Sequence, residues 1–261
     1  MALKSNGLLM AILPIKDLTL VKPEWAAKTG VKAYTTTRQS GVSHGDYASF
    51  NLATHVEDDP QAVSQNRQLL KANLGLPSIP FWLDQQHTTD VVSFAHQQPI
   101  PIADAAWTQE RGKVLAVMTA DCLPVLLVDK STTTIAAIHA GWRGLANGII
   151  ENTLKTLPVD AAELQAWIGP AISQAYFEVG GEVLDAFVEK HPATLEYFKQ
   201  SSENPKKYFA DLPSLADFIL KTAGVQQVTL SHLCSYECED LFYSYRRDGQ
   251  TGRMASLIWL E

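Results

Sequence analysis

Apolar residues alternate with polar ones, or run unbroken, over Val31–Thr37, Asp90–Ala95, Val114–Thr119, Leu123–Asp129, Thr133–His139, Leu164–Ile168, Gln227–Leu230 and Met254–Leu260. Their lengths and their content of β-branched residues predict strands. Helical spacing fills the intervals. The clearest case is Asp59 to Leu74, with Asp59 as N-cap, Pro60 at the first helical position and Gly75 just past the end. A second helix is expected from Trp142 to about Leu157, where Leu145, Ile149, Thr153, Leu154 and Leu157 share one stripe. Further helices are expected at Gly181–His191 and Leu212–Thr222, an early strand within Gly7–Leu13, and a surface loop at Ser201–Lys207.

Strands and helices mixed without a regular βαβ repeat imply an α/β (α+β) fold, read as a single layered mixed-sheet domain over residues 1–261. Composition agrees, since 46% hydrophobic residues supply one large core. The formal net charge of −7 and the lack of a Lys/Arg-rich run argue against nucleic acid or a membrane surface as partner and for a small molecule. Oligomeric state is not fixed by the sequence. Cys122, Cys234 and Cys238 form neither an even disulfide framework nor a CxxC pair, which fits a reducing, cytoplasmic setting.

Chemistry concentrates around one expected hairpin. The strands Leu123–Asp129 and Thr133–His139 flank a polar tip at Lys130–Ser131, and pairing centred there sets Cys122 opposite His139. Direct cross-strand neighbours have Cβ atoms about 4.5–5.5 Å apart, close enough for two ligands of one metal or for a thiol and its base. A Gly-Trp-Arg-Gly turn follows His139, offering Arg143 and backbone N–H groups to an anion. His87 sits in a polar break, WLDQQHTTDV, as a third candidate ligand. Two other segments carry anion-binding residues: Arg38, Asn51 and His55 in TTRQSGVSHGDYASFNLATH, and Arg246, Arg247 and Arg253 around an expected hairpin tip at Asp248–Gly249. Cys234 and Cys238 read mainly as packing residues.

The segments VMTADCLPVLLVD, AAIHAGWRGLANGII, WIGPAIS, FEVG and FYSYRRDGQTGRMASLIWL, with TTRQSGVS and FNLATHVEDDP, resemble the laccase-domain family, historically called multicopper polyphenol oxidases. The resemblance runs from about Lys32 to Leu260. It implies a layered α/β domain similar to certain cysteine-dependent toxin deamidases. It also implies zinc-dependent phosphorolysis of purine nucleosides (adenosine, inosine, methylthioadenosine) with adenosine deaminase activity; some bacterial members are described as peptidoglycan editing factors. The family's metal ligands fall on His87, Cys122 and His139. Ser40 and Thr88 stand where the family usually has glycine, and Cys238 lies outside its pattern.

The resemblance makes zinc the expected cofactor and a purine nucleoside with phosphate the expected partners. Arg38, Asn51, Arg143 and Arg247 are the expected substrate contacts, while Cys122, His139 and the adjacent Asp121 are the expected catalytic groups. Two other chemistries stay open at this point. A metal-free Cys122–His139 amidase acting on a cell-wall peptide is one. Copper-dependent polyphenol oxidation is the other, although seven histidines with no HxH pair are too few for an added trinuclear cluster.

Overall fold

The computed structural model describes residues 12–15, 18–27, 30–94 and 100–261, so residues 7–11 of the expected early strand, and Ala95, lie outside the described residues. In chain order the elements begin with β1 (Ile12–Ile15), β2 (Leu18–Val21), β3 (Val31–Thr36), α1 (Pro60–Leu74), β4 (Val91–Ser93) and β5 (Ala105–Thr108). They continue with β6 (Val114–Thr119), β7 (Leu123–Asp129), β8 (Ile135–Ala140), α2 (Trp142–Asn147), α3 (Ile149–Thr156) and β9 (Leu164–Ile168). The last are β10 (Glu178–Gly180), α4 (Gly181–Val188), β11 (Phe198–Gln200), β12 (Lys207–Ala210), α5 (Leu212–Thr222), β13 (Gln227–Leu230), α6 (Tyr245–Asp248) and β14 (Met254–Leu260).

Two sheets stack face to face. The first, in the order β1-β2-β3-β14-β6, is antiparallel throughout. The second, β13-β9-β7-β8-β5-β4, is mixed, with parallel pairs at its two edges. Their facing sides interleave Val31, Leu115, Val117 and Ile258 with Leu126, Ala137 and Trp167. The outer face of the second sheet carries Val125, Leu127 and Ile138 against Leu145, Ile149, Phe187 and Leu215 of the helices. The outer face of the first carries Ala116, Met118 and Leu257 against Leu70 of α1. Helix, sheet, sheet and helices thus form four layers. With both faces covered, β7 and β8 are buried at every position, which is why they read as unbroken apolar runs. A three-stranded sheet, β10-β12-β11, flanks this sandwich.

The cap signals of α1 hold: Asp59 accepts the Gln61 N–H, and Gly75 closes the helix at φ 60°. Other expectations shift. The helix from Trp142 breaks in two at Gly148, whose φ of 104° ends α2 and starts α3. The expected tip at Asp248–Gly249 ends the short helix α6, whose cap, Ser244, accepts the Arg247 N–H, and is not a hairpin. The β7–β8 hairpin forms, but with a longer tip. The Asp129 carboxylate accepts N–H bonds from Thr133 and Thr134, and Thr132 takes a φ of 54°, giving a turn of four residues, 130–133. The register therefore sets Pro124, not Cys122, opposite His139. A shift of two residues keeps facing unchanged, so Cys122 and His139 remain on one side.

Candidate metal centre and active site

His139 lies one residue before the end of β8, Cys122 one residue before β7, and His87 in the loop leading to β4. Among the described residues these are the one group of three or more His, Cys, Asp or Glu side chains whose donor atoms converge, all within 4.8 Å of one another. Cys122 Sγ is 3.7 Å from His87 Nε2; a tetrahedral zinc with ordinary bond lengths separates sulfur from nitrogen ligands by about 3.6 Å. The rings of His87 and His139 meet edge to face, 4.9 Å between centroids at 76°. Gly141 makes room for the group. A Cβ there would lie 2.9 Å from His87 Nε2 and 3.1 Å from Cys122 Sγ, so the GWRG turn begins with the residue that leaves room for both ligands. The donor set and this clearance fit a metal ion.

Asp104, just before β5, orients two of the three ligands. Its Oδ1 lies 2.7 Å from His139 Nδ1 and accepts the His87 N–H at 3.1 Å. Its Oδ2 accepts the Thr88 N–H at 2.6 Å, the Thr88 hydroxyl at 2.8 Å and the Gln86 N–H at 3.3 Å. The His139 N–H also donates to the Asp104 carbonyl. Binding Nδ1 leaves Nε2 as the ring nitrogen free for a metal. The loop is held in a tight form, with His87 at φ 59°.

The electrostatics of the group follow from this packing. Burial alone would push the Cys122 thiol up, but His139 and His87 outweigh it and bring it down to about 6. Burial would lower His139, yet Cys122 and Asp104 raise it to about 9. Asp104 likewise overcomes burial through its bonds to His139 and Thr88 and titrates below the usual carboxylate range. At neutral pH the metal-free pair is a thiolate beside an imidazolium.

The three candidate ligands open onto a cavity of about 480 Å³, also lined by Asp121, Arg143, Trp142, Phe177, Tyr245, Arg246, Arg253 and His55. That volume lies in the range of roughly 300–1,000 Å³ typical of small-molecule sites. Arg143 stacks on Trp142 at 4.5 Å. Asp121, at φ 91°, carries the chain from the first sheet to the second. Its carboxylate accepts the Ser235 hydroxyl at 2.6 Å and the Arg246 N–H at 2.7 Å, so it ties the Cys122 turn to α6. The Thr119 hydroxyl, buried in the same wall, has no protein partner among the described residues.

Three expected substrate contacts do not line this cavity. Arg38 spends its guanidinium on the carbonyls of Ala48 and Glu239 and lies over the Tyr243 ring. Arg247 donates to the carbonyls of Ser235, Tyr236 and Phe242 and pairs with Asp248. Asn51, 0% exposed, bonds Ala53, Asp58 and the Arg253 N–H. Arg38 and Asn51 join segments about two hundred residues apart, and Arg247 closes its own loop over residues 235–248. Arg246 and Arg253, beside them in the chain, reach the cavity instead. Cys234 lies on a different cavity, where its Sγ accepts N–H bonds from Ser173 and Glu237.

The chain is 46% identical over 239 residues to a purine nucleoside phosphorylase of Pseudomonas aeruginosa, covering 92% of this chain and 97% of that one. It is 44% identical over 242 residues to the purine nucleoside phosphorylase YfiH of Escherichia coli, covering 92% and 98%. A crystal structure from Neisseria meningitidis superposes with a TM-score of 0.88 at 46% identity, over 93% of this chain and 99% of that one. YlmD of Geobacillus stearothermophilus does so with a TM-score of 0.86 at 29% identity, over 96% and 99%. No helix among the described residues is long and apolar enough to cross a membrane. The model of the family described as multi-copper polyphenol oxidoreductase laccase matches residues 32–261, and the chain belongs to that family.

Proposed function

We propose that this protein is a zinc-dependent purine nucleoside phosphorylase, acting in the cytoplasm as one domain on adenosine, inosine or methylthioadenosine with phosphate, and that it also deaminates adenosine. The observation that carries the reading is the His87–Cys122–His139 group facing a cavity walled by arginines and aromatic rings. The names of the P. aeruginosa and E. coli relatives support the same activity.

His87, Cys122 and His139 would hold the zinc, which would supply Lewis acidity at the cavity. The chain's own residues do the rest. Arg143, whose side chain stacks on Trp142 and makes no hydrogen bond among the described residues, offers its guanidinium to phosphate. Arg246 and Arg253 are anchored on backbone carbonyls and supply fixed positive charge at the cavity wall. Asp104 keeps His139 in one tautomer. Asp121 positions the Cys122 turn, and both of its oxygens are already bonded, so it contributes orientation more than proton transfer. Zinc fits better than copper because a His2Cys set and seven histidines make no trinuclear cluster.

One observation favours a second reading. Cys122, His139 and Asp104 stand in the order of a thiol nucleophile, its base and an orienting carboxylate, the arrangement of a cysteine amidase. Stripping the protein with a strong chelator separates the two. Under the zinc reading phosphorolysis disappears and returns with zinc; activity that survives chelation and dies on thiol alkylation overturns it in favour of the amidase.

A further inference from the structure

Three aromatic rings line the cavity, each with an arginine over it: Trp142 with Arg143 at 4.5 Å, Phe177 with Arg246 at 5.3 Å and Tyr245 with Arg253 at 5.9 Å. They differ in what else touches them. Phe177 is 8% exposed and belongs to the core, and Trp142 packs against that same core. Tyr245 is 61% exposed, among the few large hydrophobic residues left so open. No hydrogen bond holds its hydroxyl within the described residues. Its backbone, by contrast, is fixed. Ser244 caps the turn by accepting the Arg247 N–H at 3.2 Å, and the next residue, Arg246, donates its N–H to Asp121, the neighbour of Cys122. A flat, open ring is thus carried on a turn tied to the metal-ligand loop.

We infer that Tyr245 is the platform on which the nucleobase stacks, and that it sets the preference for a purine over a pyrimidine nucleoside. This deepens the phosphorylase reading and rests on it. Every base presents a π-face, and stacking on an aromatic side chain is worth about 5- to 150-fold in affinity per base. The two fused rings of a purine cover more of a tyrosine than one pyrimidine ring does, so the contact favours purines. Because the ring is exposed, its removal leaves no hole in the core.

The test compares zinc-loaded wild type with Tyr245→Ala and Tyr245→Phe. Rapid ultrafiltration of adenosine and uridine without phosphate, completed before deamination consumes the nucleoside, reads binding; initial rates with adenosine and phosphate read KM for each. Tyr245→Ala is expected to weaken adenosine binding and raise its KM at least fivefold, to leave KM for phosphate within about twofold and to erase most of the adenosine–uridine difference. Tyr245→Phe, which keeps the ring, is expected to restore all three. Unchanged adenosine binding in Tyr245→Ala, or a loss that Tyr245→Phe does not restore, overturns the inference while the phosphorylase reading stands. Failure of the wild type to bind or cleave adenosine overturns that reading itself.

Discussion

Asp104 and His139 are joined side chain to side chain, 2.7 Å from Oδ1 to Nδ1, and again through the His139 N–H and the Asp104 carbonyl. The same carboxylate oxygen accepts the backbone N–H of His87. One acidic side chain therefore fixes the tautomer of one candidate ligand and the loop of another. Asp104→Asn, which keeps the volume and removes the charge, is expected to weaken zinc binding by about 10- to 100-fold. Competition with a chromophoric chelator measures it, and an unaltered affinity would remove Asp104 from this role.

Gly141 has φ −66° and ψ 160°, which any residue adopts. Alanine there costs nothing in backbone conformation, and the atoms nearest its Cβ belong to His87 and Cys122. Gly141→Ala is thus expected to abolish stoichiometric zinc binding while circular dichroism still shows a folded chain. Metal analysis after gel filtration decides it; one zinc per chain in the variant would show that the three side chains converge less tightly than described.

Protons follow the metal. With Cys122 down to about 6 and His139 up to about 9, the metal-free pair carries one displaceable proton, on His139, between those values. Zinc binding near pH 7.5 should release about one proton, approaching two below pH 6 and none above pH 9. Apparent affinity should therefore rise with pH across this window and level off above it. Calorimetry in buffers of different ionisation enthalpy counts the protons directly.

The arginines divide by what they touch. Arg143→Glu is expected to raise the phosphate requirement at least tenfold with little change in stability. Arg247→Ala should behave in the opposite way. Losing its bonds to the Ser235, Tyr236 and Phe242 carbonyls is expected to cost about 1.5–3 kcal/mol of stability, leaving KM for phosphate near the wild-type value. Urea unfolding and phosphate titration of both variants make the comparison.

Much of this was legible in the chain. Unbroken apolar runs marked β6, β7, β8 and β14 because both faces of the sheets are covered, and the Asp59–Pro60 start of α1 was written in its caps. Cys122 and His139 came out on one face even though the turn is two residues longer than its polar tip suggested, since a shift of two preserves facing. What stayed hidden depends on contacts between distant segments. Asp104 lies between alanines with no motif around it, and its value comes from the loop of His87 folding back upon it. Arg38, Arg247 and Asn51 look like anion binders in sequence, yet their donors go to backbone carbonyls and neighbouring polar groups that only the fold brings near. Gly141 stands in the sequence as the first residue of the Gly-Trp-Arg-Gly turn, and its role, the clearance it gives His87 and Cys122, emerges only in the fold.

Phosphorolysis at the His87–Cys122–His139 centre leaves products that distinguish it from hydrolysis. The direct measurement is chromatographic separation of the products formed when zinc-loaded protein is incubated with adenosine, with and without inorganic phosphate. Adenine and ribose 1-phosphate formed only when phosphate is present, with inosine as a lesser product independent of phosphate, is the outcome this account predicts. No adenine in either incubation would contradict it.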